Sequence, residues 1–260
     1  MNKYLWLTDI HLNFLKAPAR RQFFQSLKLK NPHGIFLSGD IATGQTVANL
    51  LEELGRYLNL PIYFVLGNHD LWNSSSAQVK QELAQLPSNL IYLSHSDPIA
   101  LTEKVGLIGH DGFCDARWKE PKFPLVFAMD WFFIKDFRNL SLKEKYALMR
   151  DWASESATQV GLRLRKALEV FEEVIMISHF PLLPENNLSK WLVDFWKPYN
   201  SSKTMFETLK AIMKDYPNKK LTLYCGHSHK ESNTEIAPNI VMRVGGAELG
   251  NPIIQELIYV

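Results

Sequence analysis

Strand-type and helix-type segments alternate through the first ninety residues, and no other feature constrains the fold as much. Apolar, β-branched and aromatic runs predict strands at 3–8, 34–38, 61–66 and 90–93, with helical patterns at 18–29, 45–58 and 75–86 between them. A repeated strand, helix, strand order implies a parallel sheet covered by helices. Runs at 98–101 and 104–109 flank Thr102-Glu103 and predict a hairpin. Ser141, with Glu144 three residues on, forms a capping box that starts a helix reaching about residue 171, with a break expected near Gly161. A strand at 173–178, a helix at 202–215, a strand at 220–225 and strand-rich runs at 231–236, 239–244 and 253–259 complete the chain. No internal repeat and no linker rich in Gly, Pro or Ser divides it, so one domain over 1–260 is expected.

Five of these strands end in residues of the kind that bind metals. They read Leu7-Thr8-Asp9-Ile10-His11, Ser38-Gly39-Asp40, Gly67-Asn68-His69-Asp70, Ser178-His179 and Gly226-His227-Ser228-His229. In α/β sheets the carboxyl edge of the strands is where ligands bind, because the loops leaving it gather on one side of a rigid support. Asp9, His11, Asp40, Asn68, His69, His179, His227 and His229 are therefore expected in one place, and five of the chain's eight histidines are among them.

Imidazole, carboxylate and amide oxygen together suit Zn, Fe, Mn or Co, whereas the lack of thiolates argues against a closed structural zinc site and the many imidazoles against Ca or Mg. The group is too large for one transition metal. Two ions about 3.5–4 Å apart, sharing a carboxylate and holding a hydroxide between them, form the arrangement used for in-line phosphoryl displacement.

In order, spacing and strand context, the five blocks resemble those of the calcineurin-like metallophosphoesterase superfamily, from Asp9 to His229. The resemblance implies an α/β (α+β) fold, a four-layer αββα sandwich of two mixed sheets flanked by helices. It implies that Asp9, His11 and His229 hold one divalent ion, that Asn68, His179 and His227 hold a second, and that Asp40 bridges them, the metals being Mn, Fe or Zn. His69 would not be a ligand but would donate to the phosphoryl group or leaving oxygen as a general acid, with Asp70 orienting its ring or serving as a turn residue or helix cap. The four ligand imidazoles bind only when neutral, so activity should fall in mild acid.

Departures from subfamily patterns narrow the expectation. Ile41-Ala42-Thr43 stands where Ser/Thr protein phosphatases carry an Arg-Gly block, and Thr43 stands where purple acid phosphatases carry an iron-binding Tyr. Asn68-His69-Asp70 looks more like the block of cyclic-nucleotide phosphodiesterases, other small-substrate hydrolases and the repair nucleases. The expected activity is hydrolysis of a small phosphomonoester or phosphodiester; the alternatives are a nuclease and a non-catalytic interaction scaffold. Outside the blocks, His110 and Arg117 are candidate substrate-binding residues, the latter because a guanidinium suits phosphate, although a turn residue and a surface arginine are the plainer readings. Aromatic residues crowd two insertions, about 113–140 and 184–202, where they form either satellite core or the walls of a substrate pocket.

Composition adds exclusions. Twenty-nine basic against 27 acidic residues leave a formal charge of +2, which offers no electrostatic case for a nucleic-acid or membrane partner. Two cysteines cannot build a disulfide scaffold, and the short apolar run before Asp9 does not read as a secretory signal, so a cytoplasmic protein is expected.

Overall fold

The computed structural model describes residues 1–118, 129–184 and 199–260. In the first sheet β1 (Lys3–Leu7), β2 (Gly34–Ser38), β3 (Ile62–Val65) and β4 (Leu90–Tyr92) run parallel, and β11 (Glu256–Tyr259) adds antiparallel to β1, in the order β11-β1-β2-β3-β4. The second holds β5 (Ile99–Ala100), β6 (Val105–His110), β7 (Glu173–Ser178), β8 (Lys220–Cys225), β9 (Ser232–Ala237) and β10 (Ile240–Val244) in the order β5-β6-β7-β8-β10-β9. Its four central strands are parallel and both edges antiparallel, and β5 with β6 is the expected hairpin.

The near-continuous apolar strands are explained by burial on both faces, with alternate residues feeding different cores. Leu5 and Leu7 of β1, with Ile35 and Leu37 of β2, face outwards to Phe24 and Leu27 of α1 (Ala17–Leu29), Leu51 and Leu54 of α2 (Val47–Leu58) and Val79 of α3 (Ser76–Leu83). The intervening Tyr4, Trp6 and Phe36 face the other sheet and meet Leu107, Ile175, Ile177 and Tyr224. On the far side Val174, Met176 and Leu223 pack under Val160, Leu164 and Leu168 of α5 (Leu142–Val170), with Leu209 and Ile212 of the last helix, Lys203–Lys214. The result is the four-layer αββα sandwich. Trp6 joins the sheets: its ring meets Tyr224 edge-on at 4.8 Å, and its buried Nε1 donates to Ser38 Oγ at 2.9 Å.

The capping box at Ser141 forms as expected, but α5 runs unbroken through Gly161. That residue is buried against the last helix, within reach of Thr208 and Ile212, so tertiary packing overrides its weak propensity. A single turn, α4 (Asp130–Phe133), lies in the first aromatic insertion, and the last helix is α6 hereafter. Phe113, Trp131 and Phe137 of that insertion are core, whereas Phe123, Phe127, Trp191, Phe195 and Trp196 fall outside the described residues. Among the described residues no helix is long and apolar enough to cross a membrane.

Candidate metal centre

The carboxyl ends of β1, β2 and β3 meet those of β7 and β8 along one edge of the sandwich, and backbone bonds lock the loops together. Asp9 N–H donates to Gly39 O and His11 N–H to Asp40 O within the first sheet, and Gly226 N–H to His179 O within the second, each at 3.0 Å. Five residues there adopt the left-handed conformation without being glycine: Asp9 (φ 50°), His11 (39°), Asp40 (51°), His227 (71°) and His229 (58°). Each such residue costs on the order of 1–3 kcal/mol and persists only where its surroundings over-determine it. Two glycines let the carboxylates come close to backbone. A Cβ on Gly67 would stand 2.1 Å from Asp40 Oδ1, and one on Gly226 would stand 2.1 Å from Asp9 Oδ2.

The side chains gather in two sets. In the first, ligand atoms of Asp9, His11, Asp40 and His229 all lie within 4.8 Å of one another, with His229 Nε2 3.3 Å from Asp9 Oδ1 and 3.5 Å from His11 Nε2. In the second, Asn68 Oδ1 lies 3.1 Å from both His179 Nε2 and His227 Nδ1. Asp40 belongs to both: its Oδ1 is 3.4 Å from His179 Nε2, and its Oδ2 is 3.7 Å from His11 Nε2.

The outer nitrogens of two of these rings show which inner atoms are bare. His179 Nδ1 sits 2.9 Å from Ser38 O, and His227 Nε2 sits 3.2 Å from Tyr199 O. A carbonyl only accepts, so each of those nitrogens carries the proton and the inner His179 Nε2 and His227 Nδ1 present lone pairs. They face the oxygen of Asn68, itself an acceptor, because the Asn68 amide nitrogen donates to Asp130 Oδ1 at 2.9 Å. Two imidazole lone pairs each 3.1 Å from an acceptor oxygen, with Asp40 beside them, repel it unless a cation lies among them. The donor set fits two divalent ions of the kind that bind imidazole and carboxylate.

Burial and neighbouring charge agree. Asp40 is pushed well above the usual carboxylate range, by burial first and then by Asp9 and Asp70. Burial would also raise Asp9, but its hydrogen bond to His229 and the surrounding imidazoles bring it to about 2. Burial lowers His11 to about 4 and His227 to about 3, keeping both neutral for binding. His229 alone of the four is raised, because of its hydrogen bond to Asp9. A proton would compete with a bound cation at that ring as pH falls.

Sequence reasoning missed Asp130 and Trp72, which shape the site from outside. Asp130 Oδ1 accepts from Asn68 and, at 2.7 Å, from Trp72 Nε1. The Trp72 ring stacks on His69 with centroids 3.6 Å apart and on Phe133 at 4.7 Å. One carboxylate oxygen thus fixes both the flip of the Asn68 amide and the platform under His69. Asp130→Ala is expected to weaken the ion at the Asn68, His179 and His227 set by about 10- to 100-fold while leaving the other in place. Metal titration of the purified variant checks this.

Other candidates land differently. The His69 ring is 22% exposed, its Nε2 3.9 Å from Asp40 Oδ2, and burial followed by the surrounding imidazoles lowers it to about 2. At neutral pH the ring is therefore a neutral imidazole with one N–H to donate and not a standing imidazolium. Asp70 does not orient that ring: its Oδ1 accepts from the Ile41 and Ala42 N–H groups at 2.9 and 2.7 Å, and its Oδ2 accepts from Gly67 N–H at 2.8 Å. It is fully buried and ties the β2 and β3 loops together, so the expectation of a ring-orienting carboxylate is corrected. Arg117 donates to Thr204 Oγ1 at 2.6 Å and Ser154 Oγ at 3.2 Å beside the buried Asp115, an arrangement that staples the α5 and α6 surfaces together instead of clamping phosphate. His110 lines a cavity whose lining includes none of the candidate ligands.

The architecture is shared with solved structures. A phosphopantetheinyl hydrolase from Mycobacterium tuberculosis is 16% identical and aligns over 94% of this chain and 89% of its own with a TM-score of 0.65. A dimetal phosphatase from Danio rerio is 11% identical over 94% and 87%, with a TM-score of 0.58. An anchor in the inner membrane complex of Plasmodium is 15% identical over 94% and 71%, with a TM-score of 0.53. At these identities the likeness is one of fold. No curated protein matches the chain. The sequence pattern of the calcineurin-like phosphoesterases matches residues 3–231, which takes in all five strand-end blocks, and the chain belongs to that family.

Proposed function

We propose that the protein hydrolyses a small phosphomonoester or phosphodiester using two divalent metal ions, with Mn, Fe or Zn as the candidate metals. The observation that carries this reading is the pair of donor sets sharing Asp40, with a stacked, partly exposed His69 at their edge. Asp9, His11 and His229 would hold one ion, and Asn68, His179 and His227 the other. When bound, such ions make a water-derived nucleophile available near neutral pH and neutralise phosphoryl oxygens as charge builds. The chain's own groups do the rest. The left-handed loops hold the ligand side chains in place, and His69 donates its N–H to the phosphoryl group or the leaving oxygen. The protein neighbours named above include both hydrolases and an anchor, so the assignment rests on the site and not on the fold.

Metal analysis of purified protein, followed by assay of p-nitrophenyl phosphate and bis(p-nitrophenyl) phosphate after reconstitution with Mn, Zn, Fe or Co, tests the reading. Two ions per chain are expected, with hydrolysis of at least one ester. Stripping the metals should also lower the melting temperature, because an ion binding only the folded chain at about 100 times its Kd contributes about 2.7 kcal/mol. Two bound ions without hydrolysis of either ester would leave a metal-bearing interaction scaffold as the better account.

A further inference from the structure

A cavity of about 310 Å³ opens beside the metal centre and includes none of its proposed ligands. It lies among α3, α5 and the carboxyl end of β6, bordered by Gly67 on the metal side. The cavity has a polar wall and an apolar one.

The polar wall carries three donor side chains, His110, Lys80 and Arg163. Gly112 N–H donates to His110 Nδ1 at 3.1 Å, so the ring proton sits on Nε2. Burial takes this histidine down to about 4 against the pull of Asp111, with Arg163 and Lys80 adding to the effect, so the ring is a neutral donor at physiological pH. Lys80 makes no side-chain hydrogen bond or ion pair among the described residues. Arg163 uses Nη1 on Leu93 O and Gly109 O, at 3.3 and 3.2 Å, and Nη2 on Ser94 O, leaving its Nε proton and one Nη2 proton without acceptors among the described residues. Of the two acidic residues on the lining, Asp111 is already committed. Asp111 Oδ1 accepts from Leu66 N–H and Ser94 Oγ, each at 2.7 Å, and Oδ2 accepts from the Tyr92 hydroxyl. Glu155, also on the lining, is exposed at the rim.

Leu71, Phe113, Trp152 and Phe180 form the apolar wall. The volume lies at the lower end of the range for small-molecule sites. Free donors facing apolar rings call for an occupant with an anionic head and a compact apolar body.

We propose that this cavity is a second, metal-independent site for a small organic anion, its carboxylate or phosphate head against Lys80 and His110 Nε2 and its body against Phe113, Trp152 and Phe180. This inference does not rest on the phosphoesterase reading. The test uses the full chain freed of metal by chelation and titrated calorimetrically with phenyl phosphate, benzoate and the uncharged benzyl alcohol. At least one anion should bind saturably at one per chain, benzyl alcohol should not, and Lys80→Glu should weaken the anion about tenfold or more. Lys80→Ala should fall between Lys80→Glu and the unmodified protein. Lys80 is partly exposed on a surface helix, and circular dichroism of the variants confirms folding. The relative affinity of benzoate and phenyl phosphate decides which head the site takes. The proposal is overturned if neither anion saturates, if benzyl alcohol binds as well as they do, or if Lys80→Glu binds like the unmodified protein.

Discussion

His69→Ala should lower turnover by about 10²- to 10⁴-fold while two metal ions per chain remain bound. The geometry separates the two effects. The ring lies on Trp72 at the edge of the donor sets, and its nearest carboxylate contact, Nε2 to Asp40 Oδ2, is 3.9 Å. Removing it takes away an N–H donor and leaves every proposed ligand in place. If that donor serves the leaving oxygen, esters with good leaving groups such as p-nitrophenol should suffer less than alkyl esters. The measurement is kcat across a leaving-group series, with metal content determined on the same samples. Unchanged kcat would remove His69 from the chemistry, and loss of metal would make it a ligand instead.

Asp40→Asn should have the larger effect, a fall of about 10³-fold or more in turnover together with a drop from two bound ions to one or fewer. A neutral amide cannot compensate two dications from a buried position shared by both donor sets. The same substitution should act in the opposite direction on the metal-free protein. Burial, then Asp9 and Asp70, raises the Asp40 pKa in the folded chain. The folded chain without metal therefore loses stability as pH rises past the ordinary carboxylate range, and a neutral amide relieves that penalty. Melting curves at neutral pH should show metal-free Asp40→Asn more stable than the metal-free parent, and the order reversed once metal is added. A variant less stable under both conditions would mean that Asp40 serves the fold and not the ions.

Much of this arrangement was legible because it obeys short periods. Strand residues such as Tyr4, Leu5, Trp6 and Leu7 announce burial on both faces, and the Ser141–Glu144 box needs only four positions. The strand-end residues were legible for a topological reason: parallel strands bring their carboxyl ends to one edge whatever the helices between them do. Contacts without a period were hidden. Asp130 reaches Asn68 across 62 positions, and nothing in the run Met129-Asp130-Trp131 marks its carboxylate as aimed at an amide. Asp70 misled because adjacency in sequence suggested a partner for His69, whereas the 3-10 turn at His69–Leu71 points its carboxylate back at Gly67 and the loop after β2. Gly161 misled in the other direction, since propensity carries no knowledge of the α6 surface that covers it.

The left-handed loops bear on any attempt to transplant this centre. Grafting two aspartates, an asparagine and four histidines onto the strand ends of another sandwich would reproduce the composition of the site and not its aim. At Asp9, His11, Asp40, His227 and His229 the main chain turns first and the side chain follows from it. A recipient scaffold would have to supply that contorted main chain, the backbone ties that hold it, and bare α-carbons at the positions of Gly67 and Gly226 before any ligand is installed. In this protein the conformation of the loops is the part of the site that is hardest to copy.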